Sequence, residues 1–224
     1  MEGELSLVLF SLGVAALATV LILPVGVAVA YGLSRWEGAG KGLVETVLAL
    51  PMVLPPTAVG LVLLELLATQ GPLGRVLDSL GIDVVFTPKA VVLASAVMAF
   101  PLLVRSARSG FEEVDPRLVA VARTLGESRT RAFFRVTLPL AWRGILTGTL
   151  LAFSRALGEF GATVLVAGNI PGRTQTLALA IFHYTQLGQD GAALRLAGVA
   201  TLIAFGAIYT TEVLARRRGA RVRT

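Results

Sequence analysis

The 224-residue chain has no cysteine and a single histidine, His183. The first absence excludes disulfides, thiolate nucleophiles and cysteine-based metal sites together; the second excludes a multi-histidine metal site. Charge is also scarce, with Asp, Glu, Lys and Arg at 15% of residues against about 25% in an ordinary soluble domain. Hydrophobic residues make up 55% and the mean hydropathy is +0.78. This balance is that of an integral membrane protein, because surface facing lipid needs no solubilising charge. The sequence has no phosphate-binding loop of the Walker type after a strand-like segment, and no nucleophilic constellation. Glu2 and Glu4, rather than a basic segment, precede the first apolar run, so no cleaved leader is expected.

Long apolar runs are what the chain has in place of these features. They extend over Leu5 to Leu33, Leu43 to Ala68, Val84 to Val104, Leu146 to Ala167 and Leu194 to Leu214, each near or above the roughly 20 residues that cross about 30 Å of hydrocarbon. Five crossings place the termini on opposite sides. With the C-terminus inside, the cytoplasmic intervals hold fifteen basic residues, including Arg35, Lys41, Arg105, Arg108 and the C-terminal Arg216, Arg217, Arg218, Arg221 and Arg223. Only four, Arg75, Lys89, Arg173 and Arg195, fall outside. By the positive-inside rule the N-terminus is expected outside and the C-terminus in the cytoplasm. The net charge of +6 is thus spent on topology, and no continuous basic patch with stacking aromatics points to nucleic acid.

Prolines and intramembrane charges mark the irregular places. Pro24 lies inside the first run and should bend it without ending it, and Pro51, Pro55 and Pro56 distort the second. Trp36 reads as an interface anchor, and Glu65 as an acid at the interface or facing a cavity. Arg75 to Leu80 and Leu177 to Tyr184 read as short helices that do not cross. In the fourth run Arg155 and Glu159 stand four apart, on one helical face. The pair reads either as a structural ion pair of the bundle or as part of a conduction path. Thr46, Ser154, Thr163, Asn169 and Thr174 are candidate polar liners of a path, against the alternative that helical hydroxyls bond their own backbone. Gly148, Gly158 and Gly161 are expected to permit close helix packing.

The interval 109–144 breaks the apolar pattern and is expected to be a cytoplasmic loop within one transmembrane domain, 1–224. Arg117, Arg123, Arg129, Arg131, Arg135 and Arg143 fall in it. Leu118, Val121, Ala122 and Leu125 recur at the spacing of one apolar helix face. Asp115 is a candidate N-cap with Pro116 at the first helical position, Gly126 permits a sharp turn, and Pro139 is expected to break the chain before it re-enters the membrane. The pattern alone leaves two readings open, a helix lying on the inner leaflet and a docking site for a soluble protein.

The same stretch resembles the cytoplasmic loop of binding-protein-dependent ABC importer permeases, whose pattern runs Glu-Ala-Ala, three residues, Gly, nine residues, Ile-x-Leu-Pro. Ala120, Val121 and Ala122 stand at the opening triplet, Gly126 at the glycine, and Val136, Leu138 and Pro139 at the end. The initial glutamate is replaced by Ala120. The segments ETVLALPMVLPPTAVGLVLL from Glu45, PRLVAVARTLG from Pro116 and SRALGEFGATVLVAGNIPGRTQTLALAIF from Ser154 are similar to the molybdate and tungstate branch of that family, with the sulfate branch as the alternative.

The resemblance implies an all-α type I importer permease fold with about five transmembrane helices. It implies a non-catalytic homodimer joined to two cytoplasmic ATPase subunits, which use ATP and Mg, and visited by an external oxyanion-binding protein. It further implies that Ala120, Val121, Ala122, Leu125, Gly126 and Pro139 belong to an ATPase-coupling element. An ion-coupled secondary transporter using Arg155, Glu159 and Glu65, or a scaffold without a path, would leave the loop pattern and GEFGAT unexplained.

Overall fold

A computed structural model describes residues 2–220, with the side chains of 2, 207, 208 and 210–220 left aside. Every regular element among the described residues is helical. Helix α1 (Glu2–Arg35) runs unbroken through Pro24, and α5 (Pro88–Glu112) runs unbroken through Pro101. Helix α5 is the centre of the bundle: Ala96, Ala99 and Leu103 pack between Ala15, Ala18 and Ile22 of α1 and Ala152 and Ala156 of α8 (Leu138–Leu157). Small side chains suit this core, because helices in lipid associate through close packing and not through exclusion of water.

Helices α5 and α8 meet backbone against backbone. A Cβ on Gly144 would stand 2.6 Å from the Gly110 Cα, and one on Gly148 would stand 2.9 Å from the Leu103 carbonyl oxygen. The Ser106 hydroxyl, one turn from Gly110, donates to the Gly144 carbonyl at 3.0 Å. On the other side of α5, Gly26 of α1 leaves room for Leu103, whose Cδ2 would lie 2.5 Å from an added Cβ. Gly148 and Gly161 therefore sit at close contacts, as expected. Gly158 does not: the nearest atom to a Cβ there is 3.8 Å away, and the residue instead caps the end of α8.

Two expected crossings are broken. Leu43 to Ala68 forms α2 (Lys41–Val53) and α3 (Pro56–Leu67), which meet at 108°. Leu54 and Pro55, each followed by a proline, take extended backbone, since a proline ring drives the preceding residue out of the helical region. Leu146 to Ala167 is interrupted after Leu157, and α9 (Gly161–Val166) starts anew. Helices α3 and α9 then cross closely, with the position of a Gly60 Cβ only 2.8 Å from the Ala162 backbone.

Among the described residues three helices, Gly3–Arg35, Pro88–Glu112 and Arg129–Leu157, are long and apolar enough to cross a membrane, or four if the bent pair is one span. This is fewer than the five expected: the prolines bend the second run into two helices, and the last run lies partly outside the residues described in full. The last expected run falls on α11 (Asp190–Ala220), and the side chains of its C-terminal arginines, with the whole of Arg221 and Arg223, lie outside the described residues. Short α4 (Pro72–Ser79) and α10 (Leu177–Gln186) do not cross. The Leu177 amide donates to Ser11 Oγ at 2.7 Å, tying α10 to α1.

Gly144→Ala should destabilise the purified subunit by about 1–3 kcal/mol, the usual cost of overpacking, because the added methyl meets backbone. Gly13→Ala, with open space around it, should be neutral or slightly stabilising, and thermal unfolding in nanodiscs separates the two.

Candidate functional site

The first candidate site is built on α6 (Pro116–Thr124). Asp115 caps it, its carboxylate accepting from the Arg117 amide at 2.8 Å, and Pro116 opens the helix. At the other end Gly126 adopts φ +90°; its amide donates to the Arg123 carbonyl and the Glu127 amide to that of Ala122, both at 3.1 Å. This paired bonding closes the helix in a Schellman turn, in which the left-handed residue is best a glycine. Leu118, Val121 and Leu125 face outward, 48%, 55% and 80% exposed, and Ala120 is exposed beside them. Ala122 is half-buried, and Val119 packs against the bundle.

Helix α6 is tied to the membrane core through the segment that follows it. Ser128 caps α7 (Arg129–Ala132), accepting from the Arg131 amide at 3.2 Å, and a π-helical turn at Phe133–Thr137 leads directly into α8. Pro139 therefore does not break the chain, as the sequence suggests; it lies in the first turn of α8. The wider turn accommodates a residue that lacks an N–H and crowds the carbonyl four residues back, and the Leu138 amide bonds the Phe133 carbonyl instead. Phe133 packs edge-on to Tyr31 with centroids 4.7 Å apart and lies over Phe111 at 6.2 Å. Arg135 Nη1 reaches Glu127 Oε1 at 2.6 Å, a link that sequence spacing does not reveal.

The second candidate site is the break between α8 and α9. Glu159 is 1% exposed and its Oε2 pairs with Arg155 Nη1 at 2.5 Å, while Arg155 is 29% exposed. The other oxygen, Oε1, accepts from the Ala162 amide at 2.8 Å, so the carboxylate both neutralises the arginine and fills one of the unpaired donors that a new helix start leaves. Glu159 is not on the helical face of Arg155 but past the end of α8, where the chain turns.

The remaining candidates are dispersed. Thr163 is fully buried in α9 and its hydroxyl has no hydrogen-bond partner among the described residues; Ser154 lies half-buried on α8. Thr174 is fully buried and its Oγ1 accepts from the Ile170 amide at 3.1 Å, closing the loop after Asn169. The Asn169 Oδ1 is buried without a hydrogen-bond partner among the described residues. Thr46 donates to its own helix at Gly42, 2.7 Å, and borders a cavity of about 430 Å3 with Glu45, Arg105 and Arg108. Glu65 is exposed near the end of α3.

A charged network that the sequence analysis missed lies beside this cavity. Arg108 Nη1 meets Glu45 at 2.6 Å and its Nε meets Glu112 at 2.7 Å, with Lys41 at 4.0 and 3.9 Å from the same two carboxylates. The four-residue spacings of Lys41 to Glu45 and Arg108 to Glu112 are legible in the sequence; the bond between α2 and α5 is not.

This helical arrangement agrees with the family described as the binding-protein-dependent transport system inner membrane component, which matches residues 22–218. The chain belongs to that family. It is 46% identical over 218 residues to the molybdenum transport system permease protein ModB of Escherichia coli (strain K12), covering 96% of this chain and 95% of that protein. The protein of the same name from Haemophilus influenzae is 40% identical over 216 residues, covering 96% and 94%. Among solved structures, a bacterial ABC transporter involved in import of the acidic polysaccharide alginate superposes with a TM-score of 0.76 at 15% identity, over 97% of this chain and 80% of that one. At that identity the likeness bears on the fold alone, which is all-α in the described residues.

Stability should separate the two functions of Glu159. Arg155→Ala strands a buried carboxylate and should cost about 3–5 kcal/mol. Glu159→Ala leaves an arginine that is partly exposed and an unpaired amide, at about 1–3 kcal/mol, and Glu159→Gln, which keeps the acceptor, should cost least. Equal losses in thermal unfolding of the three variants would contradict this ranking.

Proposed function

We propose that this chain is the non-catalytic permease subunit of an ATP-driven importer that carries molybdate or tungstate across a prokaryotic cytoplasmic membrane. The observation that carries the reading is 46% identity along nearly the full length of a molybdenum transport permease. In this reading two copies form the passage, two cytoplasmic ATPase subunits supply the energy with ATP and Mg, and an external oxyanion-binding protein delivers the anion. The helices cross five times, N-terminus outside, with the bent α2–α3 pair and α11 counted as crossings.

The work of such a subunit is to lower the cost of a dianion in hydrocarbon, which is prohibitive for an isolated charge. Water and polar groups along a cavity at the dimer axis serve that end, and Thr46, Ser154, Arg155, Glu159, Thr163, Asn169 and Thr174 are the candidate lining and gating residues. The buried Glu159 makes Arg155 an architectural or gating cation more than a tight anion ligand.

Helix α6 is the coupling element. Its outward Leu118, Val121 and Leu125 enter a groove of the ATPase, and Ala120, Ala122, Gly126 and Pro139 set its shape and connection. Displacement of α6 reaches α8 by two routes, the Glu127–Arg135 ion pair and the continuous helix through the π-turn. The aromatic packing of Phe133 on Tyr31 carries the same displacement to α1.

Proteoliposomes holding the chain with its ATPase, binding protein outside and ATP inside, should take up molybdate or tungstate and little sulfate. Dominant sulfate uptake would move the chain to the sulfate branch, and ATP-independent uptake along an ion gradient would end the reading. In the same assay Gly126→Val forces a β-branched residue into φ +90°, a strain of about 1–3 kcal/mol. It should lower transport-coupled ATP hydrolysis severalfold while the complex still assembles.

A further inference from the structure

The cavity between α2 and α5 holds a pattern of charge that the bundle does not need for packing. Arg105, Arg108 and Glu45 line it, and Lys41 and Glu112 adjoin it through their ion pairs with Glu45 and Arg108. Arg105 stands one helical turn before Arg108, borders the same cavity, and has no carboxylate within ion-pair range among the described residues. Arg108 is held by both carboxylates. The site thus contains one guanidinium with free donors next to one whose donors are occupied by a displaceable group.

Helix α2 has no buried residue, and its polar ties to α5 are the short Glu45 contact with Arg108 and the longer Lys41 approach to Glu112. A tetrahedral oxyanion presents a guanidinium with the same pair of acceptor oxygens as a carboxylate does. Glu45 meets Arg108 through one oxygen on Nη1, and an oxyanion oxygen can take that place while Glu112 keeps Nε. When it does, the repelled Glu45 carboxylate swings toward Lys41, already 4.0 Å away, and α2 loses the shorter of its two ion pairs with α5.

We propose that this cavity is a low-affinity site for tetrahedral oxyanion dianions, with Arg105 and Arg108 as its ligands and Glu45 as a built-in competitor for Arg108. The proposal rests on the oxyanion-importer reading and extends it to named ligands at one end of the passage. Competition from Glu45 keeps the anion from binding tightly, which suits a site that must release its occupant. It also makes anion arrival and loosening of α2 a single exchange. Because the recognised feature is the pair of oxygens, molybdate, tungstate and sulfate should all bind with little discrimination.

The absence of cysteine makes the test direct. Thr46→Cys places the only thiol of this subunit on the cavity wall, and Ala49→Cys, also lining it, serves if the first variant fails to fold. The complete permease–ATPase complex in nanodiscs, without binding protein or nucleotide, is labelled with a neutral maleimide while molybdate or sulfate is titrated against chloride at matched ionic strength. Either dianion should slow labelling saturably. Adding Arg105→Gln should raise the half-protecting concentration about tenfold and adding Glu45→Gln should lower it about tenfold, the effect of gaining or losing one charge-assisted contact.

Equal protection by chloride, or an unchanged half-protecting concentration in both variants, overturns the site. A Glu45→Gln variant that alters only the labelling rate without anion assigns Glu45 to the tether alone and overturns the competitor role. Loss of protection with ATP-driven molybdate uptake intact removes this site and leaves the importer; protection without ATP-driven uptake of any oxyanion does the reverse.

Discussion

The contact of α5 with α8, backbone against backbone at Gly110 and Gly144, fixes the direction of the one helix that joins both candidate sites. Lipid tails give helices no hydrophobic reason to associate, so closeness itself must supply the attraction. Here it does so through glycines that leave no side chain between the axes and a Ser106 hydroxyl that bonds across the gap. With α8 held against α5, its lower end carries the π-turn and α6, and its upper end carries Arg155 and the break before α9. A shift of α8 along α5 would move both ends together.

Breaks in helices are costly where no water can reach the freed groups, and the two breaks here are handled differently. After Gly158 a buried carboxylate accepts the Ala162 amide and is itself neutralised by Arg155, so a charged pair does the work of a capping side chain. Between α2 and α3 the prolines remove donors outright: Pro55 and Pro56 have no N–H to leave unpaired. The first solution creates an electrostatic centre within the bundle; the second creates a corner with fewer donors to satisfy. The difference makes the α2–α3 corner a natural place for motion and the α8–α9 break a natural place for rigidity.

Much of this was legible in the chain itself. Local features carried it: the Asp115–Pro116 start of α6, the left-handed Gly126, the apolar face of Leu118, Val121 and Leu125, and the i,i+4 pairing of Arg155 with Glu159 all follow from spacing within a few residues. What escaped were consequences of distant contact. Pro139 reads as a breaker because its effect on an α-helix is local and well defined, yet a single wide turn absorbs it. The 108° corner was signalled by three prolines, but proline count gives distortion and not direction. The union of Glu45 with Arg108 joins residues on different helices, and nothing in either segment names the other. The family pattern, by contrast, was readable despite Ala120 in place of glutamate, because Gly126 and Leu138–Pro139 kept their distance.

The outward face of α6 has a consequence for how the subunit must be made. Leu118, Val121 and Leu125 form an oily spot on a nine-residue helix that is anchored to the bundle mainly by Val119 and its two capped ends. Such a spot is harmless while something covers it and adhesive when nothing does. On the proposed reading the ATPase is that cover, and a chain made without it leaves the three side chains facing water.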